Sequence, residues 1–264
     1  MKIAGKFFLL LGGIALAYIL LAQVNWLSIF KVDENQHRLE EKLGEMVLEN
    51  LEYSHDFIDT DSIMPTLDSL FVPLLDQNHI DAKDYRLYLM VSEEVNAFAL
   101  PDDQIVLTTG LIDFLDSADY VSAILAHEIA HCEKNHVMRA LVTNFGLDLL
   151  LSSSGAGEVT SFLTSQAFSR KLEKEADETA VDYLQQTKVD PNSLVKVMEL
   201  FDIFFGSDDV DSWVSSHPNP SERKAYIRKK LDGQQSGTYK SPISRETYKA
   251  LKRRIQDYLG AEPQ

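Results

Sequence analysis

The chain is short of several things, and each shortage excludes something. It has one cysteine, Cys132, in 264 residues, so no intramolecular disulfide can form and cysteine usage does not reveal the redox compartment. Basic residues are outnumbered: 25 Lys and Arg stand against 41 Asp and Glu, for a net charge of −16. The first 31 residues carry three lysines and no acid, so the remainder is more acidic still. Such a surface repels phosphate backbones and anionic lipid, which argues against a nucleic-acid partner. Internal repeats are absent. Long apolar runs are also scarce, with one exception at residues 7–30.

That exception reads "FFLLLGGIALAYILLAQVNWLSIF", uncharged throughout and longer than the roughly 20 residues that span a bilayer. Lys2 and Lys6 precede it, and Asp33 and Glu34 follow. This asymmetry predicts a cytoplasmic N-terminus and a translocated domain, with Trp26 at the far interface. The one A-x-A site in this run, Ala15-Leu16-Ala17, is followed by more apolar sequence, which argues against cleavage there. The expectation is a single uncleaved anchor over 1–31 with the rest on the periplasmic side. The alternative is release to the periplasm after signal cleavage.

What remains is ordinary globular material, at 45% hydrophobic and 25% charged. Residues 32–84 read as helical: Leu39, Leu43, Met46, Val47 and Leu51 recur at helical spacing, and Pro65 starts a second helix near 64–75. The period then shortens. "YRLYLMVS" (85–92) reads as a strand, and "VNAFAL" (95–100) pairs with "QIVLTT" (104–109) across "PDD" as a hairpin. Helical spacing resumes after Gly110. The core spans 85–230, and 231–264 form a loose linker and a basic helix, whose "KRR" at 252–254 reads as a solvated face. The fold class is α+β, mostly helical, with a small sheet.

The chemistry is concentrated in "ILAHEIAHCEKNHVMRAL", residues 124–141. His127-Glu128-Ile129-Ala130-His131 is H-E-x-x-H on a helix, so two imidazoles share one face and can reach one metal. Glu128 stands beside that metal without ligating it, where a general base belongs. Apolar neighbours make this a buried turn, and buried histidines and a glutamate need a partner to offset desolvation. His136 lies about 140° from His131 on a continuous helix and so is not the third ligand. A third histidine in the segment would need Gly at 134 and His at 137, but the chain has Lys134 and Val137. The third ligand therefore comes from elsewhere, and "SRKLEKEADETAVDYL" (169–184) is the best source. Glu173, Asp177 and Ala180 share one stripe with Ala176 beside them, while Glu175 points about 200° away from Glu173. Glu173 can ligate, and Asp177 can accept the spare N–H of a ligand histidine.

With "NAFALPDDQIVLTTGL" (96–111), "AHEIAH" (126–131), "SRKLEKEAD" (169–177), "DP" (190–191) and "SHPNPSER" (216–223) in this order, the chain resembles the HtpX- and BepA-like zinc metallopeptidases of metallopeptidase family forty-eight, a gluzincin family. The resemblance covers about residues 85–230. It implies a zincin-like protease domain holding one zinc, with His127, His131 and Glu173 as ligands, Glu128 as base and Asp177 behind the ligands. It further places the histidine of H-P-x-x-x-x-R on His217 and its arginine on Arg223. Such a histidine either stabilises the tetrahedral intermediate or closes over the metal at rest. It also implies that "NAFAL" borders the cleft and takes substrate as an added strand, with Asn96 and Ala99 facing it. A single apolar run favours the soluble-domain branch. No tetratricopeptide-like array follows, and Asn135-His136 stands where Arg-His is common, which makes His136 a structural residue.

Three protein ligands leave a fourth position for water, the arrangement of a catalytic site. There Glu128 would take the water's proton and pass it to the leaving amine. The expected function is peptide-bond hydrolysis, with unfolded or misassembled envelope proteins as substrates. The alternative is a latent or non-cleaving, chaperone-like zinc-dependent binder of the same fold.

Overall fold

A computed structural model describes residues 32–150, 156–165, 168–205, 213–232 and 237–261. The expected anchor at 7–30 lies outside the described residues, and no described helix is long and apolar enough to cross a membrane. The chain divides into two units, Met1–Glu40 and Glu41–Gln264. The second holds the sheet and every helix from Met64 onward.

The helix α4, Ala118–Glu133, is the centre around which the rest of that unit is built, with α1–α3 preceding it at Val32–Ser54, Met64–Gln77 and Thr109–Phe114. Ser117 caps α4, accepting the Asp119 N–H at 3.3 Å. Val121 to Cys132 are then buried without a break. A helix buried on all faces has to be enclosed, and α2, three later helices and the sheet all pack on it. In α1, Leu43, Val47 and Leu51 form the buried stripe expected from their spacing. The helix ends at Ser54, and Phe57 then bridges Met90 at a sheet edge. Pro65 sits in the first turn of α2, where its missing N–H costs nothing.

The sheet has three strands, β1 Arg86–Met90, β2 Ala97–Leu100 and β3 Gln104–Thr108, in the order β1-β3-β2. The hairpin is as expected: β2 and β3 are antiparallel, with Phe98 opposite Val106 and Leu100 opposite Gln104. Asp102 and Asp103 turn the chain with φ of 63° and 52°, left-handed values that acidic turn residues tolerate. Strand β1 joins the other side of β3 in parallel. Gly44 lets α1 approach this turn, since a Cβ there would meet the Pro101 carbonyl oxygen at 2.6 Å.

After α4, helix α5 covers His136–Leu150 with a non-helical break at Gly146, and α6 covers Ala156–Ser165. Helix α7, Arg170–Thr187, packs along α4. It is followed by α8 Asn192–Phe205, α9 Trp213–Ser216, α10 Pro220–Asp232 and α11 Arg245–Ala261. The last buries Tyr248, Leu251 and Ile255, and the Tyr248 hydroxyl reaches the carbonyls of Ile112 and Leu115 at 3.1 Å. Mostly helical with a small sheet, the domain has the expected α+β class.

Candidate metal centre

Helix α4 brings His127, Glu128 and His131 to the interior, all with 0% exposure. Helix α7 faces it with a stripe of small and acidic residues. Ser169 caps that helix, and Ala176 and Ala180, both fully buried, let the two backbones approach closely. Glu173 and Asp177 point from α7 into the gap beside the histidines.

There His127 Nε2 lies 3.0 Å from His131 Nε2, and Glu173 Oε1 lies 3.5 Å from His131 Nε2. A fourth donor joins them. His217 Nδ1 is 3.1 Å from His127 Nε2 and 3.0 Å from Glu173 Oε1. His127, His131, Glu173 and His217 each offer a donor atom, and these lie within 4.8 Å of one another. Three imidazole nitrogens and one carboxylate oxygen suit zinc, whereas calcium and magnesium prefer all-oxygen sets. The donor set fits the metal. His217, expected to stabilise the intermediate or to close over the metal, would be a fourth donor and is 0% exposed. Cys132 is buried and outside the cluster.

Behind the donors stands a charged frame. His127 Nδ1 lies 3.0 Å from Asp177 Oδ1. Arg223, only 2% exposed, donates to both Asp177 oxygens at 2.7 and 2.8 Å and lies 2.9 Å from Glu173 Oε2. It also donates to the His217 carbonyl at 3.0 Å, and its guanidinium stacks over Trp213. Tyr226 adds a short hydrogen bond to Asp177.

The frame sets the charge states. Burial pushes Asp177 upward, but Arg223 and His127 outweigh it and hold the carboxyl well below its usual range. Glu173 is likewise depressed, burial being overcome by His217 and Arg223. Burial lowers His127 to about 3, against the opposing pull of Asp177, so its ring is neutral and able to ligate. Glu128 goes the other way. Burial raises it to about 7, the range in which a carboxylate serves as an effective base. One of its oxygens accepts the Trp213 indole N–H at 3.0 Å, and the other has no hydrogen-bond partner.

The family model described as Peptidase family M48 matches residues 64–231. This chain belongs to peptidase family M48. Among M48-matching relatives, it is 25% identical to the beta-barrel assembly-enhancing protease of Escherichia coli K12, over 73% of this chain and 44% of that protein. It is 27% identical to metalloprotease LoiP of the same strain, over 58% of this chain and 66% of LoiP. To the mitochondrial metalloendopeptidase OMA1 of Danio rerio it is 27% identical, over 54% and 35% of the two chains. The chain thus spans under half of the beta-barrel assembly-enhancing protease and of OMA1.

The structure brings together seven of the expected site residues of this M48 chain: His127, Glu128, His131, Glu173, Asp177, His217 and Arg223. Asn96 and Ala99 stand apart. Both are 2% exposed, Asn96 just before β2 and Ala99 within it. Helix α6 lies against β2, and Asn96 Nδ2 donates to the Thr164 carbonyl at 3.4 Å. The strand is an edge in the sheet order, and all four of its residues are buried.

Three contributors escaped sequence reasoning. Trp213 had no signal beyond being an aromatic near a Pro-rich loop. Tyr226 lies three residues past Arg223, one turn along α10, so helical spacing from the arginine would have found it. His136 was set aside because a continuous helix would turn it away. The helix is not continuous: α4 ends at Glu133, Asn135 takes φ of 54°, and a new helix starts at His136. That break returns the His136 ring to His131, with Nδ1 3.2 Å from His131 Nδ1.

Proposed function

We propose that this protein is a zinc metalloendopeptidase of the cell envelope, resting in a closed and latent state. The observation that carries the reading is a buried His127–His131–Glu173 donor set with the partnerless oxygen of Glu128 one residue from a donor. His127, His131 and Glu173 would hold the ion, with His217 as a fourth donor at rest. Bound zinc supplies Lewis acidity to a water and to the scissile carbonyl. Glu128 then acts as the base: its free oxygen accepts the water's proton and returns it to the leaving amine. Asp177, clamped by Arg223 and Tyr226, holds the His127 ring by its Nδ1.

Water and substrate can enter only when His217 and Trp213 withdraw. The two rings stack at 4.4 Å and 19°, and the His217 backbone N–H donates to the Trp213 carbonyl at 2.8 Å, so the two would withdraw together. Withdrawal would vacate the fourth position and release Glu128 from the indole together. Substrate as an added strand on β2 would further require α6 to give way. The name of the beta-barrel assembly-enhancing protease suggests β-barrel assembly as a setting, and we infer unfolded or misassembled envelope proteins as substrates. Residues 7–30 would anchor the protein, with the domain on the periplasmic side. Protease added to spheroplasts would then degrade the domain, and protection would reverse this topology.

Purified protein should hold about one zinc per chain and cut an unfolded envelope protein slowly. His217→Ala should keep the zinc and cut roughly tenfold faster or more, the gain expected if the closed form outnumbers the open by about ten. A zinc-loaded His217→Ala variant slower than wild type would instead give His217 a part in the reaction itself.

A further inference from the structure

The two histidines of the zinc motif are supported differently, and the support of His131 has no role in the proposed reaction. We propose that His136 and Glu175 form a relay that fixes the tautomer and orientation of His131, making both of them positioning residues of the metal centre. This rests on the zinc reading, and zinc uptake by the wild-type chain separates the two.

The hydrogens can be placed in only one order. His131 turns Nε2 toward the cluster, 3.0 Å from His127 Nε2 and 3.5 Å from Glu173 Oε1. A ligating nitrogen carries no proton, so the ring's hydrogen sits on Nδ1. That atom faces His136 Nδ1 at 3.2 Å, which must therefore be the acceptor. His136 then carries its own hydrogen on Nε2, and the Glu175 carboxylate lies 3.5 Å from that nitrogen. Nε2 has no hydrogen-bond partner at this distance, and a small rotation of the Glu175 side chain would supply one. The order is His131 to His136 to Glu175.

The local structure is arranged for this contact. His136 is 0% exposed, which is costly for an unpartnered polar ring, and it follows directly on a left-handed break that aims it at His131. Glu175 projects from the other side of α7 from Glu173, and 40% of its side chain is exposed. His127 thus meets a buried carboxylate directly, whereas His131 meets a neutral ring whose carboxylate stands at the surface. Phe168 packs against His131 with ring centroids 4.2 Å apart, so packing alone is the competing explanation of its orientation.

Zinc affinity of the full-length purified protein, measured by competition with a chelator, decides between them. His136→Leu should weaken zinc binding about 10- to 100-fold, the usual reach of an outer partner of a metal ligand. His136→Gln should recover most of that loss, because its side-chain oxygen can accept from His131 while its amide reaches Glu175. Glu175→Ala, altering a part-exposed side chain that leaves the core intact, should weaken binding about threefold or more. The relay is overturned if Glu175→Ala binds zinc within about twofold of wild type, or if His136→Gln is no better than His136→Leu. If His136→Leu fails to fold, the Glu175→Ala result decides: affinity within about twofold of wild type refutes the relay. A wild-type chain that takes up no zinc would sink the metal reading itself, a different failure from zinc bound equally by all variants.

Discussion

Replacing Glu128 with glutamine should leave a folded, zinc-loaded protein whose cleavage is slower by about a hundredfold or more, the usual reach of a general base. Glutamine has the shape of glutamate and keeps an oxygen for the Trp213 indole, so the contact at 3.0 Å survives. Glu128 is also outside the group of four donors, so zinc content should not change. What disappears is basicity. Among the described residues, the free oxygen of Glu128, raised to about 7 by burial, is the only partnerless carboxylate oxygen beside the donors that is not itself one of them. Stability should hold or rise slightly, since a buried carboxylate is replaced by a neutral amide. The measurement is turnover of an unfolded substrate alongside zinc content and a thermal melt. A folded, zinc-loaded Glu128→Gln variant that cleaves within tenfold of wild type would falsify the assignment. Equal retention of unfolded chains by both forms, with no cleavage by either, would favour the non-cleaving binder.

The parts of the site written in helical periodicity were legible in the sequence. His127 and His131 are one turn apart, and Glu173, Asp177 and Ala180 repeat on one stripe, so angle alone placed them together before any partner helix was known. The His217–Arg223 segment came only by resemblance, because a Pro-rich stretch has no period from which burial can be read. His136 is indeed outside the group of four donors, but the continuous helix used to turn it away does not exist. Angles around a helix hold only while it continues, and nothing in "CEKNH" announces that Asn135 turns left-handed. In the fold, the β2–β3 hairpin was legible from "PDD" between two β-rich runs. The parallel pairing of β1 with β3 was not, since it skips over β2 and depends on what packs beneath the sheet. The packing of α6 against β2 was hidden similarly: a helical pattern fixes the buried face of a helix but not its neighbour.

Arg223→Leu should destabilise the domain by about 3–5 kcal/mol, the cost of removing one partner from a buried charge cluster. For a domain of this size that is a fall in melting temperature of roughly 6–20 °C. Leucine roughly fills the apolar part of the space, so the loss is electrostatic and not a matter of volume. Asp177 and Glu173 would remain buried, both depressed far below their usual range partly by this guanidinium. Arg223→Lys should fall between the two, because an ammonium keeps the charge but not the paired hydrogen bonds at 2.7 and 2.8 Å. Exposure is what makes the effect large. Arg170 also pairs with a carboxylate, Glu222 at 3.6 Å, but the two side chains are 74% and 56% exposed, and Arg170→Ala should change stability by no more than about 0.5 kcal/mol. The melts are best run with and without zinc. A bound divalent cation would compensate Glu173 but not Asp177, so the Arg223→Leu loss should be greater in zinc-free protein. An equal loss in both forms would mean that Glu173 does not contact the ion, and a loss no larger than that of Arg170→Ala would mean that Arg223 does not hold the two carboxylates in place.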